Sequence, residues 1–237
     1  MKTRLNPLSI LCIMLSFVLL SSCIVDDPGP LQETERQYNI VDFDRLEMGD
    51  AFHIDVQQGS FFEVNVRGDR RNIEHLIVRK EGNTLVIRYR QYRQRRHDTF
   101  VSITLPELYA VNFSGASESR VYGFSDVETF DVYLSGASVC QLDVDPIHLD
   151  AVVSGASYLN LRGDAVEMYA DVSGSSALKA FNLPVIRAEI SLSGGSDAEV
   201  AVAENLKVVA SGASHLIYRG DPALTSDVSG GSAIHRD

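Results

Sequence analysis

From about residue 106 onward, apolar residues alternate with polar ones in short runs, and each run stops at the same tetrapeptide. One and three positions before its first serine stand Val111/Phe113, Val132/Leu134, Ala151/Val153, Ala170/Val172, Ile190/Leu192, Val208/Ala210 and Ser226/Val228. Beyond it the alternation resumes, as in Cys140/Leu142, Leu159/Leu161, Leu178/Ala180, Ala198/Val200 and Leu216/Tyr218. A period of two is the mark of a strand with one buried face. Turn residues then follow, at Asp145-Pro146, Gly163-Asp164, Leu183-Pro184 and Gly220-Asp221-Pro222.

The tetrapeptide reads Ser-Gly-small-Ser, and seven copies start 21, 19, 19, 20, 18 and 18 residues apart. They begin at Ser114-Gly115, Ser135-Gly136, Ser154-Gly155, Ser173-Gly174, Ser193-Gly194, Ser211-Gly212 and Ser229-Gly230. A near-fixed spacing this short is the signature of a solenoid. At about 3.3 Å per residue, one repeat closes a loop of short sides, and stacking such loops about 4.8 Å apart pairs each strand in parallel with its counterpart. The expected fold is all-β, a right-handed parallel β-helix of about 19-residue coils. Glycine gives the corner its backbone freedom, the small third residue leaves room for the neighbouring coil, and the serines are expected to stack as hydroxyl ladders. Seven copies of one corner make these serines structural rather than catalytic.

Residues 37–105 are also rich in alternation: Phe52, Ile54 and Val56, then Phe62, Val64 and Val66, then Leu85 and Ile87, then Val101, Ile103 and Leu105. They are not in register with the repeat, and only residues 70–78 offer a single helical turn. This region reads as irregular first coils or a β-rich cap, with residues 106–237 as the repeats of a single domain spanning 37–237. The last coil stops five residues after its tetrapeptide. That incomplete end is a candidate surface for self-association.

Ahead of the fold, residues 1–22 have a basic start (Lys2, Arg4) and an apolar run over 8–20, too short to span a bilayer. The run ends in Leu20-Ser21-Ser22-Cys23, which resembles the lipobox of bacterial lipoproteins. The resemblance implies cleavage before Cys23, lipidation of Cys23 and attachment to a membrane, with residues 23–36 as the lipidated Cys and a flexible tether. Asp26-Asp27 resembles a signal that places lipoproteins on the outer face of the outer membrane, which makes the cell surface the expected location and a periplasm-facing anchor the alternative. Of three cysteines, Cys12 leaves with the signal and Cys23 is acylated, so Cys140 remains alone, at an inward position.

With that leader, the opening Phe43-x-x-Leu46, Val56-Gln57-Gln58-Gly59 and Val64-x-Val66-x-Gly68-Asp69, followed by the Ser-Gly-Ala-Ser repeats, resembles the putative auto-transporter adhesin, head GIN domain family over about residues 38–237. The resemblance implies adhesion at the cell surface. It brings no catalytic residues.

Charge changes the picture in two places. Residues 98–237 hold 19 acidic against 7 basic side chains, whereas residues 67–97 hold 10 basic against 3 acidic. Within the latter lies a run of Arg88, Arg90, Tyr92, Arg93, Arg95 and Arg96, between two strand patterns. Interleaved Tyr and Arg bind polyanions. For an exported protein this excludes nucleic acid and points to anionic polysaccharide or lipopolysaccharide. The same run also reads as a solvated hairpin whose like charges guard an edge, or as an arm lying on the acidic flank. Asp131, Asp150 and Glu189 each stand four residues before a tetrapeptide and invite a calcium reading. Tyr169, Lys207 and Thr225 interrupt that row, so neither metal nor other cofactor is expected.

An enzyme of the pectinase-like kind needs convergent acids in a groove made by long loops. The narrow range of repeat lengths leaves no room for such loops, Trp is absent, and the six His are scattered at 53, 75, 97, 148, 215 and 235. Asp143, Asp145 and Arg162 are the sole enzymatic candidates. Three readings follow: a non-enzymatic surface binding module for a glycan, envelope or host partner; a polysaccharide lyase or hydrolase; and a structural or sensing protein of the cell envelope.

Overall fold

The computed structural model describes residues 29–91 and 97–237. The chain divides into two units, residues 1–30 and 31–237, and every described strand belongs to the second. The expected signal peptide (1–22), Cys23 and the tether up to residue 28 lie outside the described residues, as do Tyr92, Arg93, Arg95 and Arg96.

The described residues form seventeen strands that wind into one continuous sheet around a packed interior. In order they are β1 (Glu33–Tyr38), β2 (Arg45–Met48), β3 (His53–Gln58), β4 (Glu63–Asp69), β5 (Leu76–Glu81), β6 (Thr84–Tyr89), β7 (Thr99–Leu105), β8 (Ala110–Phe113), β9 (Glu118–Leu134), β10 (Val139–Val153), β11 (Tyr158–Arg162), β12 (Ala165–Val172), β13 (Ala177–Leu192), β14 (Asp197–Ala210), β15 (His215–Arg219), β16 (Ala223–Val228) and β17 (Ala233–Arg236). A single helical turn, α1 (Arg70–Ile73), joins β4 to β5. The winding is a parallel β-solenoid of about seven turns.

Each tetrapeptide turns the chain from a leading face to a trailing face. On the leading face the strand order is β5, β6, β2, β8, β9, β10, β12, β13, β14, β16. On the trailing face it is β1, β4, β7, β3, β9, β10, β11, β13, β14, β15, β17. The long strands β9, β10, β13 and β14 serve both faces, bending at register shifts near Asp143–Val144 and between Ala180 and Pro184. All pairings are parallel except β1–β4, β4–β7 and β5–β6, which close the N-terminal end.

The inward residues predicted from alternation are buried, from Val111 and Phe113 through Val208 and Ala210. In the last coil Val228 is 43% exposed, since no coil covers it. Core volume tracks coil length. The longest coil encloses Phe124 and Phe130, while the 18-residue coil beginning at Ser193 closes around Val200, Val202 and Leu206. Burial of each Leu or Phe side chain contributes roughly 1.5–3 kcal/mol.

The corner itself differs from expectation in one respect. The glycines adopt the left-handed conformation, and a carbonyl ladder runs through them: Ala137 N–H donates to Gly115 O and Ala156 N–H to Gly136 O, both at 2.7 Å. The second serines are buried up to Ser214, but most of their hydroxyls bond to carbonyls instead of one another, as Ser138 Oγ does to Ser135 O at 2.9 Å. Among the described corner serines, only the Ser214–Ser232 pair makes a hydroxyl–hydroxyl contact, at 3.2 Å. The expected hydroxyl ladder is therefore a backbone ladder, because the peptide groups of stacked corners already lie at bonding distance. The third residue is exposed, as at Ala137 and Ala156.

The N-terminal part is irregular, yet one stretch keeps the repeat register. β2 pairs with β8 and β3 with β9, so residues 49–52 occupy the place of Ser114 to Ser117 in a further coil. The corner there is Gly49-Asp50-Ala51-Phe52, which the tetrapeptide pattern does not match. This corrects the out-of-register reading of residues 45–58.

Candidate functional site

Alternation places every second trailing-face residue outward, and parallel pairing aligns these residues in rows across the strands. The first row runs Arg67, Phe100, His53, Glu118, Val139, Tyr158. The second runs Asn65, Ser102, Asp55, Arg120, Gln141, Asn160. Where the antiparallel cap strands meet the solenoid, both rows line a groove of about 440 Å³.

Planar groups are stacked along the first row. The Arg67 guanidinium lies 4.6 Å from the centre of the Phe100 ring, and His53 stacks on Phe100 at 5.0 Å and 21°. His53 also faces two carboxylates, with Glu118 Oε2 3.4 Å from Nδ1 and Asp98 Oδ2 3.7 Å from Nε2. In the second row Arg120 donates to Asp55 Oδ2 from both Nε (3.0 Å) and Nη2 (2.6 Å). This pairing raises the Arg120 pKa, and burial together with the carboxylate of Asp55 raises that of the Tyr122 hydroxyl beside it.

At the end of β4 a buried carboxylate meets a half-buried arginine. Asp69 caps α1, accepting from Arg71 N–H at 2.9 Å, from the Arg71 guanidinium at 2.7 and 2.6 Å, and from Gln32 N–H at 3.1 Å. Those donors hold its carboxyl well below the usual carboxylate range, outweighing the opposing cost of burial. Asn72 Nδ2 donates to His97 O at 2.8 Å, tying the same turn to the chain entering β7.

The predicted site residues fare unevenly. Arg88 and Arg90 are exposed, but Arg88 belongs to β6, and the intervening Tyr89 is buried, its hydroxyl 2.6 Å from Thr99 Oγ1. The basic run therefore starts inside a strand and not after it. Asp131, Asp150, Tyr169, Glu189, Lys207 and Thr225 do form one cross-strand row. Arg45 pairs with Asp131 at 3.3 Å and Lys207 with Glu189 at 2.7 Å. Among the described residues no group of three metal-ligating side chains is present. Asp143 and Arg162 are register neighbours, whereas Asp145 lies past the bend, where its Oδ1 accepts from Asp164 N–H at 3.0 Å. Cys140 is buried, and desolvation pushes its thiol up to about 12.

A parallel β-solenoid with short coils, an antiparallel cap and a shallow polar groove on one face defines the class of protein. The chain belongs to the family described as putative auto-transporter adhesin, head GIN domain, which it matches over residues 42–222, as its repeats and opening strands imply. Several solved structures share the fold. A protein described as a putative adhesin from Bacteroides fragilis superposes with a TM-score of 0.79 at 19% identity, covering 87% of this chain and 97% of that one. A putative adhesin from Parabacteroides merdae gives 0.69 at 16%, covering 86% and 96%. A protein described as a putative lipid binding protein from Parabacteroides distasonis gives 0.70 at 18%, also covering 86% and 96%. No curated protein matches the chain at a significant level.

Proposed function

We propose that this chain is a non-enzymatic adhesin-type binding module, carried on the bacterial surface by a lipid on Cys23 and engaging a glycan or other surface partner. The observation that carries the reading is the trailing-face groove, in which cations, rings and amides are arrayed and the carboxylates of Asp55 and Glu118 face Arg120 and His53. Preorganised donors and acceptors on a rigid sheet suit recognition, because little conformational entropy is lost on binding. Hydrolysis of a glycosidic bond needs paired carboxylates flanking it. A register shift falls between Asp143 and Asp145, and Asp145 Oδ1 is engaged by the Asp164 N–H. Family membership and the adhesin-described relatives support the same reading.

The test is made on intact cells. Protease shaving is expected to remove the wild-type chain from the surface, and Cys23→Ser is expected to abolish fatty-acid labelling and membrane retention. A chain that resists shaving until the outer membrane is opened would instead fit the periplasm-facing alternative. Incubation with polysaccharides is expected to release no oligosaccharide.

A further inference from the structure

We propose that the trailing face carries a binding strip for an uncharged, hydroxyl-rich polysaccharide lying along the solenoid axis over β7, β3, β9, β10 and β11. The proposal rests on the reading that the chain binds glycan without cleaving it.

The first ground is that the groove's cations already have partners. Arg67 pairs with Glu33 at 2.6 Å, Arg120 with Asp55, and His53 stands between Glu118 and Asp98. An anionic ligand would have to displace a carboxylate from one of these cations, a cost that an uncharged ligand avoids. What these two rows leave open is neutral, the charged Asp143 and Arg162 lying one row further along β10 and β11. Ser102, Gln141 and Asn160 share the row of Asp55 and Arg120, and their side chains make no hydrogen bond to other described residues. An amide offers donors and acceptors together, which is what a sugar hydroxyl pair requires.

The second ground is the adjoining row of apolar surface. Both faces of Phe100 are taken, by Arg67 and His53, so that ring acts as a wall of the groove. Tyr158 is different. It is 38% exposed and stands in register between Val139 and Ala177, both too small to cover a ring. It is the platform on which the C–H face of a pyranose can rest, one row from Gln141 and Asn160.

The third ground is length. Five strands at about 4.8 Å spacing extend over roughly 19 Å, more than a single sugar can reach, and the rows run along the axis. A polymer laid along that axis meets the groove at one end and Tyr158 at the other.

The full-length chain is tested for retention on immobilised neutral polysaccharides (dextran, β-glucan, mannan), with heparin and alginate as polyanions. Wild type is expected to bind at least one neutral polymer. Tyr158→Ala, and Gln141→Ala combined with Asn160→Ala, are each expected to weaken that binding about tenfold or more, the loss of one or two good contacts. Tyr158→Phe, Tyr133→Ala on the leading face, and Arg88→Ser with Arg90→Ser are expected to bind as wild type. Far-UV circular dichroism shows whether each variant is folded, and the amide pair tests the strip should Tyr158→Ala misfold. Retention on polyanions alone, or no retention on any neutral polymer, would overturn the proposal while leaving a binding module intact. So would neutral binding indifferent to the strip variants. Released oligosaccharide would overturn the binding-without-cleavage reading instead, and retention by the variants would still score the strip.

Discussion

At the residue scale, the corner glycines show why one residue type recurs seven times. Gly155 has φ +79°, and a Cβ added there would lie 2.4 Å from Gly136 O. A side chain would meet both an unfavourable backbone conformation, about 1–2 kcal/mol, and the ladder of the coil before it, about 1–3 kcal/mol. Gly155→Ala is therefore expected to cost about 2–5 kcal/mol in urea unfolding. Gly82 supplies the comparison: its φ is +60° with nothing within 4 Å of an added Cβ, so Gly82→Ala should cost only the conformational part, about 1–2 kcal/mol. Asp69 tests a charge in place of a contour. Asp69→Ala removes the carboxylate that accepts from the Arg71 guanidinium and from two backbone N–H groups, which should cost about 3–5 kcal/mol. Because the folded carboxyl is held low, its stabilisation is complete above the unfolded value of about 3.9 and is lost as pH falls below it towards the folded value. Stability measured against pH should thus fall less steeply below about pH 4 in Asp69→Asn than in wild type. The Cys140 thiol, pushed up to about 12 by burial, is expected to resist alkylation at about pH 8 until the chain is unfolded.

At the scale of the element, the corner between β2 and β3 shows how a coil survives a changed sequence. Asp50 sits at the glycine position with φ +66°, and Ala51 follows at +60°. The strain is offset locally, since Asp50 Oδ2 accepts the Tyr89 N–H at 2.8 Å and so fastens the corner to the end of β6. Two terms of opposite sign decide Asp50→Gly. Relief of the left-handed backbone returns about 1 kcal/mol, whereas orphaning the Tyr89 N–H costs about 1–3 kcal/mol. The net expectation is a loss of about 1 kcal/mol in thermal or urea melts. Asp50→Asn, which tolerates this backbone and keeps an acceptor, should stay near wild type.

At the scale of the whole solenoid, each coil bonds only to its neighbours, so stability is a sum of nearest-neighbour terms and the ends are weakest. The two ends are not equivalent. The N-terminal end is closed by antiparallel pairing of β1, β4 and β5 with their neighbours and by the Asp69–Arg71 turn. At the other end, among the described strands, β16 pairs only with β14 and β17 only with β15, and all six residues of β16 are exposed. Hydrogen exchange should therefore run fastest in β16 and β17 and slowest around β9 to β13, with the protection gradient running along the axis. Equal protection at both ends would mean that another molecule covers the C-terminal coil.

What the sequence determined was everything that repeats. Alternation named the buried positions from Val111 to Ala210, and the tetrapeptide spacing named the corners, because stacking forces each coil to solve one steric problem with the same residues. Family membership followed from that repetition. The structure alone decided what is unique. Phe100 and His53 stand 47 residues apart, and Asp55 and Arg120 stand 65 apart, so no local pattern links them until β3 is placed between β7 and β9. The coil at residues 45–58 stayed hidden for a related reason: Asp50 meets the corner's demand through a hydrogen bond to a distant strand, and a tetrapeptide pattern does not register a solution of that kind. Repeated contacts leave a periodic mark on a chain, whereas a binding groove assembled from single residues of many strands leaves none.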